Sequence, residues 1–211
     1  MKYLVIDTET TGLFDFSKPA DAEGQPRLAN LAMIALDDGL QEGARWNLYV
    51  KPDGWKMTEE AQKIHGLTDE FLAANGVAVK DVLDTYARLI DVGYVVAAFG
   101  AQYDTKVLRG ELRRAGMPDR FETTPNICVM KALTGVCKIP RANGRGYKFP
   151  KLAEACHHFH LMQPEAHTAL GDALCTVKLL GWLKKLNLIP EPEVHYAKVQ
   201  PTGEAQHVSR D

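Results

Sequence analysis

Residues 3–13, YLVIDTETTGL, begin as an apolar run that is typical of a buried strand and then turn acidic. Because alternate side chains of a strand point to the same face, Asp7 and Glu9 are expected to lie side by side. Two carboxylates held that close repel each other, so one of them should stay protonated unless a cation lies between them. The stretch is therefore either a strand that ends in a polar turn or half of a metal site.

Composition limits the class of protein. The chain has 211 residues, of which 45% are apolar, and its net charge is −2, which fits one domain with a real core. Because there is no overall basic excess, a nucleic-acid partner must be held by a local basic patch. The four cysteines show no C-x-x-C spacing, which favours free thiols in a reducing compartment and a cytoplasmic location. The N-terminal apolar run ends at Asp7 and no apolar stretch reaches about 18 residues, so we expect neither a signal peptide nor membrane contact.

The periodicity predicts strands first and then alternating helices and strands. Strands are predicted at 2–7, 28–36, 44–50 and 94–99, and the second and third of these as a hairpin. Helices are predicted from residue 58 onward and at 79–90, 104–115, 151–159 and 168–186. This order indicates an α/β domain, with a mixed central sheet and helices on both faces. The domain is expected to span 1–189, and 190–211, with three prolines and no periodicity, to be a poorly ordered C-terminal tail.

Two long loops are unusual for so small a domain. Residues 14–27 are long and polar for a connection between strands, and they begin beside the acidic pair. Residues 138–151, KIPRANGRGYKFPK, carry basic and aromatic side chains and no acidic one. This second loop is either a solvated, glycine-rich flexible segment or a segment that tracks phosphates, with Arg145 and Lys148 as substrate contacts.

Two further carboxylates stand at the predicted starts of helices. Asp104 follows the apolar run at 94–99, where its alternative role is that of a helix N-cap. Asp172 lies in the first turns of the last predicted helix, where the helix dipole alone would support an acidic residue. His167 precedes that helix, and a histidine taken alone is usually a surface or packing residue.

Three segments, IDTETTGL, AAFGAQYDTKVL and AHTALGDALCT, occur in this order and resemble the exonuclease motifs of the DnaQ-like superfamily, DEDDh branch. Within that superfamily, the segments are similar to those of DNA polymerase III epsilon-type exonuclease domains. The branch is defined by four acidic residues and a histidine, which here would be Asp7, Glu9, Asp104, Asp172 and His167. The segments at 60–72 and 149–159 also resemble parts of the family, so the similarity extends over residues 1 to about 186.

The resemblance implies a ribonuclease H-like fold and removal of nucleotides from a 3′ end, with release of nucleoside 5′-monophosphates. It also implies two divalent metal ions, Mg²⁺ or Mn²⁺, held by the four acidic residues, with His167 taking the proton from the attacking water. Candidate contacts to the substrate are Thr8, Thr10, Gly12, Leu13 and Tyr103. Leu13 is expected either to pack under the terminal base or to anchor its loop to the core.

The second motif departs from the family pattern, because Phe99 and Gly100 stand where relatives have His-Asn. The leading hypothesis is an exonuclease that acts on the 3′ end of single-stranded or frayed DNA, with RNA as the competing substrate. A second hypothesis is a catalytically weak nucleic-acid-binding module of the same fold. A third is a proofreading or accessory subunit, held to a polymerase or another replication partner through residues 190–211.

Overall fold

The computed structural model describes residues 1–118, 124–163 and 167–194. The strands are β1 (Lys2–Thr10), β2 (Leu28–Leu36), β3 (Glu42–Tyr49), β4 (Tyr94–Ala98) and β5 (Asn126–Cys128). The helices are α1 (Glu59–His65), α2 (Asp69–Asn75), α3 (Val79–Asp91), α4 (Ala101–Arg114), α5 (Val129–Cys137), α6 (Leu152–His158) and α7 (Ala169–Lys185).

The five strands form one mixed sheet in the order β3-β2-β1-β4-β5. β1 pairs antiparallel with β2 after a long connection, and β2 pairs antiparallel with β3 through a short one, whereas β1, β4 and β5 pair parallel. Parallel neighbours need a crossover, and α3 and α4 lie in the chain where those crossovers occur. The predicted mixed sheet is confirmed, and β1 lies at its centre.

The alternation of side chains along β1 divides the core into two layers. Leu4 and Ile6 belong to the cluster that α3 and α4 cover, together with Leu83 and Leu108. Tyr3 and Val5 belong to the opposite cluster, which α5, α6 and α7 cover. Helices therefore lie on both faces of the sheet, as predicted, and the face of each β1 residue follows from whether its number is odd or even.

The observed elements differ from the predicted ones where tertiary contacts decide. β1 continues past Asp7 to Thr10 because Glu9 and Thr10 still pair with β2 across a register shift, so the acidic pair lies in the strand and not in a turn. α4 begins at Ala101 with Gly100 as its N-cap, so the N-cap role for Asp104 is wrong. α2 and β5 were not predicted, because each is too short to show a clear period, and α5, of nine residues, was also not predicted.

The region of the predicted tail is described only in part. Glu193 forms an antiparallel bridge with Asn126 of β5, with N···O distances of 2.9 and 3.0 Å in the two directions. The prediction of poor order for residues 195–211 lies outside the described residues.

Two further expectations concern the cysteines and the membrane. Cys128, Cys156 and Cys175 are buried, Cys137 is half-buried, and all four are free thiols. Over 1–118, 124–163 and 167–194, no helix combines the length and the apolar character needed to cross a bilayer.

Candidate active site

Three carboxylates from distant parts of the chain meet at the carboxyl end of β1. Asp7 and Glu9 occupy odd positions of the strand and face α7, which carries Asp172 in its first turn. Ligand oxygens of the three side chains all lie within 4.8 Å of one another. We call these three residues the acidic cluster.

Asp104 approaches the same strand end from the opposite face. It lies on α4, is only 5% exposed, and accepts a hydrogen bond of 2.8 Å from Thr8 Oγ1. Thr8 is the even-numbered residue between Asp7 and Glu9, so it points toward α4 while they point toward α7. Asp104 is not part of the acidic cluster, yet its charge is the strongest of the neighbouring charges that raise the pKa of Asp7.

Burial and mutual repulsion together favour the protonated forms of these carboxyls. The pKa of Asp7 lies well above its usual range because of burial and then because of Asp104, Asp172 and Glu9. Burial, followed by the charges of Asp172 and Asp104, raises the pKa of Glu9 to about 8. Burial also raises the pKa of Asp104 to about 7, although the Thr8 hydroxyl acts in the opposite direction. Carboxyls whose pKa is raised by burial and by neighbouring negative charge are suited to a divalent cation, which takes hard oxygen ligands and relieves the repulsion.

Asp172 is held by the segment that precedes α7. Thr168 caps the helix by accepting a hydrogen bond of 3.1 Å from the Gly171 N–H, which places Asp172 in the first turn. Gln163 Nε2 donates to Asp172 Oδ1 at 2.8 Å. Burial raises the pKa of Asp172, and the Gln163 amide together with the charge and backbone N–H of His167 lowers it. His167 is exposed and has a left-handed φ of 64°, and its effect on the pKa of Asp172 shows that it is a neighbour of the acidic cluster.

A cavity of about 510 Å³ opens next to the acidic cluster, and Glu9 belongs to both. Its lining includes five of the seven predicted substrate contacts, namely Thr8, Thr10, Gly12, Leu13 and Tyr103. We call it the β1 pocket. Leu13 is 88% exposed, so the alternative that it anchors its loop to the core is wrong. Ile64 of α1 also lines the pocket and is 60% exposed, which makes two apolar side chains available to a planar ligand.

Hydrogen bonds fix the backbone of this pocket. Tyr103 Oη donates to Gly12 O at 2.8 Å and lies 2.7 Å from Thr10 Oγ1. Thr58 Oγ1 donates to Thr11 O at 2.8 Å. His65 Nδ1 accepts from the Leu67 N–H at 3.1 Å, so Nε2 carries the proton and donates to Thr10 O at 3.2 Å. Burial lowers the pKa of His65, which favours this neutral form.

Sequence reasoning missed the contribution of α1 to the β1 pocket. Thr58, Ile64 and His65 line it, although none was predicted to contact substrate. The segment at 60–72 had been noted for its resemblance to the family, and that was the available signal.

The basic loop at 138–151 folds against itself and against α6. Arg141 Nε donates to Tyr147 O at 2.9 Å, and Pro140 forms a bridge with Tyr147. Lys148 Nζ lies 2.6 and 2.7 Å from the two carboxylate oxygens of Glu154. Neither Lys148 nor Arg145 is among the described residues that form the acidic cluster or line the β1 pocket.

The sequence is similar to those of known exonucleases. Residues 4–180 match the profile of the RNase_T family, described as exonuclease. An uncharacterized exonuclease of Escherichia phage 186 is 30% identical over 188 residues, covering 86% of this chain and 88% of that protein. The DNA polymerase III subunit epsilon of Buchnera aphidicola subsp. Acyrthosiphon pisum is 27% identical over 180 residues, covering 85% of this chain and 70% of that one.

Solved structures show the same fold. Escherichia coli exonuclease I in complex with a dT13 oligonucleotide superposes with a TM-score of 0.73 at 19% identity, covering 87% of this chain. A zinc-bound form of the same enzyme with single-stranded DNA gives a TM-score of 0.71 at 19% identity and also covers 87% of this chain. The aligned region spans 41% of the first of these chains and 40% of the second.

Proposed function

The chain belongs to the RNase_T exonuclease family, and from that premise we propose that it removes nucleotides from the 3′ end of single-stranded or frayed DNA. The products would be nucleoside 5′-monophosphates, and residues 1–189 would form the exonuclease domain. The observation that carries the proposal is the meeting of Asp7, Glu9 and Asp172 beside an open pocket with an apolar rim.

Two divalent cations, Mg²⁺ or Mn²⁺, are the proposed cofactors. The acidic cluster fits them, since its oxygens are close together and the pKa of each of its carboxyls is raised, so that added positive charge would favour their ionised forms. Asp104 is the proposed fourth carboxylate, held in orientation by Thr8. When bound, such ions activate a water molecule and stabilise negative charge on the leaving oxygen.

The chain's own groups have separate tasks in this proposal. His167 is the general base, because its exposed imidazole stands beside Asp172 where an attacking water can give up its proton. The terminal nucleotide occupies the β1 pocket, with its base between Leu13 and Ile64 and its sugar near the turn that Tyr103 and Thr10 hold. Because Glu9 borders both the pocket and the acidic cluster, the scissile phosphate lies where the two meet.

Each alternative function is favoured by a different observation. RNA competes with DNA as substrate, since none of the predicted contacts was assigned to a 2′-hydroxyl. A weakly catalytic binding module is favoured only by Phe99 and Gly100 in the second motif, and Phe99 here is a buried core residue on the α7 side. A role beside a polymerase is favoured by the relatives named as polymerase subunits. Cytoplasmic location and substrate contact by Arg145 and Lys148 stay predictions.

One assay separates these functions. Single-stranded DNA and RNA of the same sequence, labelled at the 5′ end, are incubated with the protein in Mg²⁺, Mn²⁺ or EDTA. The expected result is stepwise shortening of DNA from the 3′ end that EDTA abolishes. Shortening of RNA alone would reassign the substrate, and binding without shortening in either metal would favour the inert module.

A second experiment tests the role of His167. His167→Ala is expected to lower turnover by about two to four orders of magnitude, the usual range for losing a general base, while metal affinity measured by calorimetry stays nearly unchanged. A loss of metal affinity comparable to that of Asp172→Asn would show that the imidazole is not the base.

A further inference from the structure

Leu13 is an apolar side chain that the fold leaves in solvent. It is 88% exposed, whereas the next residue, Phe14, is only 8% exposed. Leu13 lines the β1 pocket and belongs to neither core cluster of the described residues. Because burial does not hold this side chain in place, its position depends on the contacts of the residues on either side of it.

The backbone before Leu13 is attached to α4. Tyr103 Oη, from the first turn of that helix, donates to Gly12 O at 2.8 Å. Thr10 Oγ1 lies 2.7 Å from the same carbonyl oxygen. The peptide unit that enters Leu13 is therefore held from both the strand and the helix.

The backbone after Leu13 is attached to a buried lysine of the same helix. The Lys106 ammonium donates to Asp15 O at 3.2 Å and to Lys18 O at 3.1 Å. The buried side chain of Gln25 binds the same residue, since it donates to Asp15 O at 2.8 Å and accepts from the Asp15 N–H at 3.1 Å. Both polar groups of the Asp15 backbone are thus satisfied by buried side chains.

The Lys106 ammonium also lies close to two aromatic rings. Its Nζ is 5.3 Å from the centroid of the Phe14 ring and 4.6 Å from that of the Phe16 ring. Phe14 meets the Tyr103 ring edge to face, with centroids 5.6 Å apart. A cation at such distances is attracted to the face of a ring, so Lys106 restrains the side chain of residue 14 as well as the backbone of residue 15.

A close backbone approach keeps the rest of the loop at 14–27 on α4. Gly110 lies one turn after Lys106, and a Cβ at this position would be 2.5 Å from Ala20 O. Since real Cβ atoms do not come so close to a carbonyl oxygen, only glycine allows the loop to pack here. Two successive turns of the helix therefore oppose displacement of the loop.

We propose that Lys106 is a positioning residue for the terminal nucleotide, and that its contacts hold Leu13 in the β1 pocket before substrate binds. This inference rests on the proposed exonuclease function and deepens it, because it names the group that prepares the base-binding side of the pocket. A side chain that is already in its bound position has less freedom to lose on binding. Lys106 should therefore strengthen binding of the terminal base and leave the chemical step unchanged.

The first test separates binding from turnover. Lys106→Met keeps a long side chain and removes the ammonium, so KM for a dinucleotide should rise about five- to tenfold with kcat changed less than about twofold, because Leu13 must now be ordered on binding. The matched control is Lys184→Met, since Lys184 also donates to a loop carbonyl, Asp38 O at 2.8 Å, but lies on α7. The control should change neither constant. A fall in kcat with KM unchanged in Lys106→Met would overturn the proposal.

The second test asks whether Lys106 acts through Leu13. If it does, the double variant Lys106→Met with Leu13→Ala should have a KM within about twofold of that of Leu13→Ala alone, because effects that share one route do not add. Lys106→Met should likewise have no effect on affinity for an oligonucleotide whose 3′-terminal nucleotide lacks its base. Effects that multiply in the double variant, or an equal loss with and without the base, would show a role in stability alone.

A binding measurement separates failure of this proposal from failure of the proposed function. Fluorescence anisotropy with short 5′-labelled oligonucleotides in Ca²⁺, which takes the same oxygen ligands, reports affinity whether or not the protein hydrolyses DNA. Weaker binding of the intact 3′ end alone by Lys106→Met supports the role of Lys106 even if wild type shortens no substrate. Gln25→Met, which releases Asp15 from the other side, takes its place if Lys106→Met does not fold. Wild-type affinity for the intact end in the variant tested rejects the proposal.

Discussion

The two faces of the last residues of β1 carry opposite kinds of polar chemistry. On the α4 face, Thr8 donates to Asp104 and Thr10 shares hydrogen bonds with Tyr103 and Gly12. On the α7 face, Asp7 and Glu9 meet a third carboxylate, and burial followed by the charges of Asp104 and Asp172 raises the pKa of both. One face is satisfied by hydrogen bonds within the fold, and the other is left with repulsion, to which Asp104 contributes from across the strand and which a ligand must relieve. The proposed chemistry occupies the unbalanced face, and the satisfied face supports it.

The largest effect is expected from removing charge on the unbalanced face. Asp7→Asn should lower exonuclease turnover by at least about a thousandfold, since several kcal/mol of transition-state stabilisation go with the cations it would help to hold. The same variant should be more stable than wild type in EDTA at pH 8, because it removes repulsion. Asp84→Asn, which alters an exposed carboxylate paired with Lys80, is the control and should leave both quantities unchanged. Normal turnover of Asp7→Asn would show that the carboxylates on the α7 face do not carry the chemistry.

The pH dependence of stability tests the repulsion itself. Glu9 and Asp104 have pKa values of about 8 and about 7 in the folded protein, above the usual range for unfolded chains. The folded state therefore binds more protons than the unfolded one between about pH 4 and pH 8, and stability falls as the pH rises through that window. Thermal unfolding in EDTA should show Tm lower by about 5 °C or more at pH 8 than at pH 5. Mg²⁺ should raise Tm more at pH 8 than at pH 5, because fewer protons compete with it for the carboxylates. A Tm that does not change with pH in EDTA would contradict the raised pKa values.

A smaller effect is expected on the satisfied face from Thr8→Val. The change keeps the side-chain shape and removes the hydrogen bond to Asp104, at a cost of about 1–3 kcal/mol for a buried acceptor left without its partner. The pKa of Asp104 should rise further, so the pH–rate profile should move to higher pH while the protein still folds. An unshifted profile would mean that Thr8 does not tune Asp104. Thr105→Val, on the same helix, is the control for loss of a buried hydroxyl.

The smallest effect is expected from Tyr103→Phe. It removes only the hydroxyl that binds Gly12 O and Thr10, so stability should fall by about 1 kcal/mol in urea unfolding. KM for a dinucleotide should rise a few-fold with kcat nearly unchanged, because the turn that borders the β1 pocket loosens. A large loss of kcat would place Tyr103 in the chemical step and not in the pocket wall.

Much of the fold was predictable because its main elements carry strong periodic signals. β2 has the predicted bounds and is buried throughout, as a continuous apolar run indicates. α7 begins one residue after the predicted start, where Thr168 provides the cap. Short elements such as β5 and α2 are stabilised by their neighbours, and no local sequence pattern predicts them.

Only the site residues that lie within the sequence motifs could be predicted. The motifs named Asp7, Glu9 and Asp172, which the structure brings together. They could not reveal that Thr8 binds Asp104 from the opposite face, or that α1 completes the β1 pocket. Nor could they reveal that the basic loop at 138–151 uses Lys148 to pair with Glu154 of α6.

The strict alternation along β1 has a consequence for how such a chain can evolve. A single codon inserted or deleted between Ile6 and Asp7 would turn Asp7 and Glu9 toward α4 and Thr8 toward α7, although the strand's composition would hardly change. Point substitutions change this strand one side chain at a time, whereas a change in its length reverses the face of every residue that follows. Descendants of this chain should gain or lose residues in their loops and keep the count from Lys2 to Thr10 unchanged.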